Sequence, residues 1–167
     1  MIVPNNPVPW HDLSSDFISE TLEIYCTDCV YISSAKWNGY EFEGIVKLQH
    51  YPFTKAKYIN YVTASMLMVY LSQVGFLYAR LLCENNLLPV RISTERYLEL
   101  VKKGNVVITN LRDIRLRKKI PLQQSTSILS MKLERVFAQK NSPIGDLSFS
   151  FNGGDFKGNI FVMIMNH

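Results

Sequence analysis

A run of 22 residues without a charged side chain, between Lys57 and Arg80, constrains this chain more than any other feature. A segment of that length can cross a bilayer as a helix. It also carries Asn60, Ser72, Gln73 and four tyrosines, which a lipid-facing helix rarely contains. A helix that is apolar nearly all round must be enclosed by other elements. We therefore predict a buried core helix over about residues 62–83 and no membrane span.

The chain before this helix has the pattern of a β-hairpin. A strand-like run from Val30 to Lys36 is followed by Asn38-Gly39, a strong signal for a tight hairpin turn. From Tyr40 to Leu48 apolar residues alternate with charged ones, which predicts a half-buried strand. A short helix is predicted within residues 14–24, capped by Ser15 or Asp16.

The chain after the helix reads mostly as strands. A second helix is predicted from Ser93, as N-cap, to Lys102, with Gly104 just beyond its end. The predicted strands that follow are 105–117, 126–138, a run around 147–151, and 160–165. The last is apolar throughout, which predicts a strand covered on both faces. The order predicts an α+β fold with an antiparallel sheet wrapped around one long central helix, in one domain over residues 13–167 after an irregular lead-in at 1–12.

Composition supports a packed, cytoplasmic domain. Hydrophobic residues make up 47% and charged residues 19%, which excludes a disordered chain. The net charge of +4 suits an acidic partner or a phosphorylated ligand, and nothing in the pattern indicates nucleic-acid binding. The N-terminus has no secretory-signal pattern, and three cysteines make a disulfide framework improbable, so we expect a cytoplasmic protein.

Two features of the central helix leave alternatives open. Its small residues fall at spacings that place them on one face, and they either pack tightly on the sheet or line a narrow ligand channel; they are Ser65, Ser72, Gly75 and Ala79. The hydroxyl of Ser72 either bonds back to the carbonyl one turn earlier or, with Gln73, faces a ligand or water.

Two further groups have a structural and a functional interpretation. Cys26 and Cys29 form a Cys-x-x-Cys without a second ligand pair or a βαβ context, so structural, reduced thiols are expected, and no metal or cofactor is predicted. The basic residues of the chain concentrate in one run, Arg112, Arg115, Arg117, Lys118 and Lys119. This run is either a solvated strand edge or a binding site for the phosphates of coenzyme A or for an acidic carrier protein.

Four stretches, at residues 25–31, 58–78, 111–122 and 149–165, resemble in order and spacing the FcoT-like long-chain fatty acyl-CoA thioesterases. The resemblance covers about residues 20–165 and implies a hot dog fold and thioester hydrolysis. It aligns Tyr25, Cys26, Cys29 and Tyr58-Ile59 with family positions. Three family positions differ: Thr63 and Ser72 replace asparagines, and Met66 replaces a glutamate. These replacements concern the catalytic side chains more than the fold.

The resemblance implies a site whose catalytic residues are Tyr58, Thr63 and Ser72. The resemblance also implies substrate binding by Tyr25 and Gln73. We expect further substrate-binding residues in Tyr61, in Gly75 of the small-residue face, and in Arg115 and Arg117 of the basic run. No Asp or Glu occurs between Glu43 and Glu84, so hydrolysis would rest on the N–H groups at the helix start and on positioned hydroxyls.

The expected function is hydrolysis of acyl thioesters carried by coenzyme A or by an acyl carrier protein. The alternatives are a non-catalytic acyl-binding module and a dehydratase-like protein. Dehydratases of this fold use a histidine, and the predicted central helix contains none. His50, which precedes the helix, is the nearest histidine in the sequence. Hot dog domains pair, so a homodimer or higher even oligomer is expected.

Overall fold

The structure is a computed structural model that describes residues 9–49 and 60–166. Within these residues the helices are α1 (Ser15–Thr21), α2 (Ala64–Glu84) and α3 (Thr94–Lys102), and a short 3₁₀ turn covers Thr27–Cys29. The strands are β1 (His11–Asp12), β2 (Ile32–Trp37), β3 (Glu41–Lys47), β4 (Val106–Leu116), β5 (Thr126–Gln139), β6 (Ser142–Phe151) and β7 (Phe156–Ile164).

The strands form a seven-stranded antiparallel sheet in the order β1-β2-β3-β5-β6-β7-β4. Helix α2 lies against its inner face and meets side chains from several strands. A Cβ on Gly75 of the helix would lie 3.5 Å from Val162 of β7, and a Cβ on Gly44 of β3 would lie 3.3 Å from Val74. This is an α+β hot dog fold, with the sheet wrapped around one long central helix.

The ends of α2 follow from local sequence. Thr63 is the N-cap, and its Oγ1 accepts a hydrogen bond from the Met66 N–H at 3.3 Å. At the other end, the Asn85 side chain donates to the Leu81 carbonyl at 2.9 Å. In mid-helix, the Tyr78 hydroxyl donates to the Tyr40 carbonyl and accepts from the Leu133 N–H, so one side chain fastens the helix to the sheet.

The enclosure of α2 confirms the prediction of a core helix. Its length and hydropathy are those of a membrane span, but 78% of its most apolar 18-residue window is buried inside the domain. Such burial is typical of the central helix of a soluble protein.

Most predicted elements are confirmed, with shifted boundaries and three corrections. Strand β7 is not covered on both faces: its residues alternate between buried and half-exposed, with Phe161 and Met163 facing outward. Helix α1 is capped by Ser14, whose Oγ accepts from the Phe17 N–H at 3.1 Å, and not by Ser15 or Asp16. In the segment predicted to be irregular, His11 and Asp12 form β1.

Candidate functional site

One face of α2 is only half-buried, whereas the rest of the helix is enclosed by the domain. Between positions 66 and 83 all residues are buried except four, and with Ser65 these make a single line along the helix. We call this line the open stripe; its residues are Ser65, Met68, Val69, Ser72 and Phe76. Their spacing follows the helical period, so they share one face. The stripe contains no charged residue, although it is the least buried face of the helix.

The open stripe begins at the helix N-terminus with two hydroxyls. Thr63 Oγ1 and Ser65 Oγ are 3.0 Å apart and both residues have solvent access. Because Thr63 already caps the Met66 N–H, its first role is to hold the helix start in place. The first-turn N–H groups carry partial positive charge, which can polarise a carbonyl oxygen placed there.

The middle of the stripe is Ser72, followed by the buried Gln73. The Ser72 hydroxyl donates to the Met68 carbonyl at 2.8 Å, so the local alternative for this hydroxyl is confirmed. Both polar atoms of the Gln73 side chain bind the neighbouring backbone. Oε1 accepts from the Tyr31 N–H at 2.9 Å, and Nε2 donates to the Cys29 carbonyl at 2.6 Å.

Gln73 thereby brings the segment around Cys29 alongside the stripe. At the far end of the stripe, the Tyr25 ring lies 6.3 Å from the Phe76 ring. The structure therefore places three of the predicted site residues at separate points along α2: Thr63 at its start, Ser72 in its middle and Tyr25 against Phe76.

A second tyrosine hydroxyl lies in the core, at Tyr70. Its ring stacks edge-on against Tyr31 at 5.2 Å and lies 5.9 Å from Phe151. The hydroxyl has no hydrogen-bond partner among the described residues, and burial raises its pKa well above the usual value, so it stays a donor. A buried donor of this kind is one that a bound water or ligand satisfies. The sequence indicated only a bulky residue here, because nothing local shows which tyrosine lacks a partner.

The edge strand β4 presents an apolar wall. Leu111, Ile114 and Leu116 are 37%, 44% and 61% exposed. Leu111 and Leu116 pair with the inward-facing Ile160 and Phe156, so they point to the inner side of the sheet. Ile114 lies over Gly158, where a Cβ would come within 2.7 Å of its Cδ1.

The predicted basic residues divide between two situations. Arg112 binds Asp146 at 3.1 Å and lies over the Phe161 ring, so it belongs to a structural network. Arg115 and Arg117 are exposed on β4 and just after it, and Arg115 faces Lys157 across the strand pair. Arg115, Arg117 and Lys157 together make a basic patch. No carboxylate of the described residues forms an ion pair with any of these three side chains.

The remaining predicted site residues lie elsewhere. Gly75 is buried against Val162, as the packing alternative requires. Tyr61 forms an isolated bridge with Pro121, and the Lys119 ammonium lies 5.2 Å from its ring. Tyr58, like His50, falls outside the described residues. Within residues 9–49 and 60–166, no three His, Cys, Asp or Glu side chains cluster as metal ligands would.

Comparison with known proteins gives no family assignment. No family model matches the chain, and no curated protein matches its sequence. Membership of the FcoT-like thioesterases therefore stays a prediction.

Solved structures show distant similarity. A homologue of HP0420 from Helicobacter felis is 13% identical with a TM-score of 0.41, over 75% of this chain and 72% of that one. S. sahachiroi AziG is 7% identical with a TM-score of 0.45, over 77% and 86%. A hypothetical thioesterase protein with coenzyme A from Streptococcus pneumoniae is 14% identical with a TM-score of 0.40, over 77% and 80%. Similarity at this level assigns neither substrate nor catalytic residues to this chain.

Proposed function

We propose that this chain is a cytosolic acyl thioesterase that acts as a homodimer on acyl groups carried by coenzyme A or by an acyl carrier protein. The observation that carries the proposal is the open stripe of α2. A half-exposed helix face without a single charge favours an apolar occupant, and its small serines leave room for a chain close to the helix backbone.

The polarity of the stripe suits a thioester laid along it. The acyl chain would follow Met68, Val69 and Phe76, while the carbonyl oxygen would lie at the helix start beside Ser65. The N–H groups there would stabilise the oxyanion that forms when water attacks. Thioesters are activated acyl groups, so a site with few catalytic side chains is sufficient for slow turnover.

The dimer is proposed from β4. Among the described strands β4 pairs only with β7, so its other side is a sheet edge with exposed apolar side chains, and a second copy of β4 would cover both the edge and those side chains. Light scattering at micromolar concentration should give twice the chain mass. Leu116→Lys should shift the protein towards monomer. Ile128→Lys, at a 49% exposed site on β5, is the matched control and should not.

A non-catalytic acyl-binding module is the second candidate. It is favoured by the bonds of Ser72 and Gln73, because the Ser72 hydroxyl donates to the Met68 carbonyl and the Gln73 amide donates to the Cys29 carbonyl. Such a module would use the same stripe for binding without turnover.

The deciding experiment measures free thiol released from a panel of acyl-CoA and acyl-carrier-protein esters of increasing chain length, with binding measured on the same panel. Thiol release above the uncatalysed rate supports the thioesterase. Saturable binding without release supports the acyl-binding module. Absence of both across the panel refutes the proposal that the stripe holds an acyl chain.

A further inference from the structure

Cys26 and Cys29 lie in a geometry that permits a bridge between them. Cys26 is the N-cap of the 3₁₀ turn Thr27–Cys29, and its carbonyl accepts a hydrogen bond from the Cys29 N–H at 2.7 Å. A turn closed in this way keeps its first and fourth Cα atoms within about 7 Å. Disulfides span Cα separations of roughly 4.4–6.8 Å, so the two cysteines can be joined without unfolding the turn.

The two thiols also differ in access. Cys26 is exposed and Cys29 is half-buried, whereas the third cysteine, Cys83, is buried at the end of α2. Burial raises the pKa of Cys83 to about 12, which keeps it an unreactive thiol. Structural cysteines are normally buried, so the positions of Cys26 and Cys29 favour a reactive role over the structural one that the sequence suggested.

The surroundings hold this turn against the central helix. The Cys29 carbonyl accepts from Gln73 Nε2, and the Asp28 carbonyl accepts from Gln49 Nε2 at 3.2 Å. A bridge between the two cysteines would therefore form in a segment that is already anchored to Gln73 of the central helix.

We propose that Cys26 and Cys29 are a thiol–disulfide modification site. The oxidant is a small disulfide such as oxidised glutathione. The exposed Cys26 thiolate attacks one of its sulfurs, forms a mixed disulfide and releases one glutathione. Cys29 then attacks the Cys26 sulfur, closes the intramolecular bridge and releases the second glutathione. The two protein thiols are oxidised, one glutathione disulfide is reduced to two thiols, and the protons pass to those thiols.

The test incubates the folded, full-length chain with oxidised glutathione and follows intact mass and thiol count. The expected product has lost two hydrogen atoms, carries no glutathione, and keeps one titratable thiol, Cys83, after denaturation in the absence of reductant. A dithiol should restore all three. Cys29→Ser should stop at one glutathione bound to Cys26, and Cys26→Ser should react on the order of tenfold more slowly, because the remaining thiol is less accessible.

Cys83→Ala is the matched control, and it should form the same bridge. Melting curves of each variant establish that it is folded before oxidation. Three results would overturn the proposal: a wild-type chain that stops at the mixed disulfide, one that forms a disulfide between two copies instead, or one that loses Cys83 together with the other two thiols.

Discussion

Replacing Gln73 with methionine tests how the central helix is tied to the segment beside the open stripe. Gln73 is 0% exposed, and its amide satisfies the Tyr31 N–H and the Cys29 carbonyl. Methionine has a similar length and no polar group, so neither of these two hydrogen bonds can form. Removing the partner from each of these buried hydrogen bonds costs about 1–3 kcal/mol, and the more favourable burial of the methionine side chain offsets about 1 kcal/mol. The expected loss in the free energy of unfolding is therefore about 1–5 kcal/mol.

The measurement is urea unfolding, followed by fluorescence and circular dichroism, with the slope compared between variants. Gln123→Met, on an exposed side chain, is the control and should change stability by no more than about 0.5 kcal/mol. A Gln73→Met variant as stable as the control would refute the idea that these two hydrogen bonds hold the segment in place.

Gln73→Glu adds a pH test of the same contact. Only the protonated carboxyl can donate to the Cys29 carbonyl, and burial also disfavours its charge, so the pKa of this carboxyl should be higher in the folded than in the unfolded state. Stability is then present at low pH and is lost as pH rises through the folded pKa. The variant should lose more stability at pH 8 than at pH 5, relative to wild type at each pH. An equal loss at both would show that the Cys29 carbonyl does not need a donor.

Four other outcomes are expected. Tyr58→Phe should lower thiol release by roughly 10–1,000-fold with little change in melting temperature, if its hydroxyl acts on the thioester as the sequence predicts. Gly75→Leu should cost about 1–3 kcal/mol by overpacking, whereas a shortened chain-length limit in a still-folded variant would favour the channel alternative. Arg115→Glu with Arg117→Glu should weaken binding of an acyl-CoA or an acidic carrier, with a smaller loss at high salt; unchanged affinity at low salt would place the entrance elsewhere. Above pH 9 stability should fall, because Cys83 ionises in the unfolded chain well before its raised pKa of about 12 allows this in the folded one; Cys83→Ala should reduce this fall.

What the sequence could predict was set by how local the determining interactions are. The caps of α2 and α3, at Thr63 and Ser93, lie within three residues of the N–H groups that they bind, and the Ser72 hydroxyl reaches back one turn. Such contacts can be inferred from spacing. The partners of Gln73 lie 42 and 44 residues away, so no local pattern could indicate that its amide serves the backbone.

Strand β7 shows the same limit in another form. Phe161 and Met163 are apolar yet face outward, where Phe161 stacks with Phe137 at 6.0 Å and lies under the Arg112 guanidinium at 4.3 Å. An aromatic cluster on the outer face gives the strand the composition of a fully buried one. Composition alone therefore predicted that both faces of β7 are buried, whereas the structure buries one face and leaves the other half-exposed.

The position of α2 along the chain affects how the protein is made. Strands β4–β7, which supply most of the wall around the helix, all follow it, and about 80 residues separate the end of α2 from the end of β7. Ribosomes add about 5–20 residues per second, so synthesis of the strands that follow α2 takes roughly 4–16 s after the helix itself has been made. Throughout that interval it is an apolar segment with the length and hydropathy of a membrane span. Chains truncated before β5, or translated slowly through it, should be captured by chaperones or by the membrane-insertion machinery. We therefore expect the chain to be most prone to mistargeting and aggregation during synthesis, after α2 has been made and before strands β4–β7 cover it.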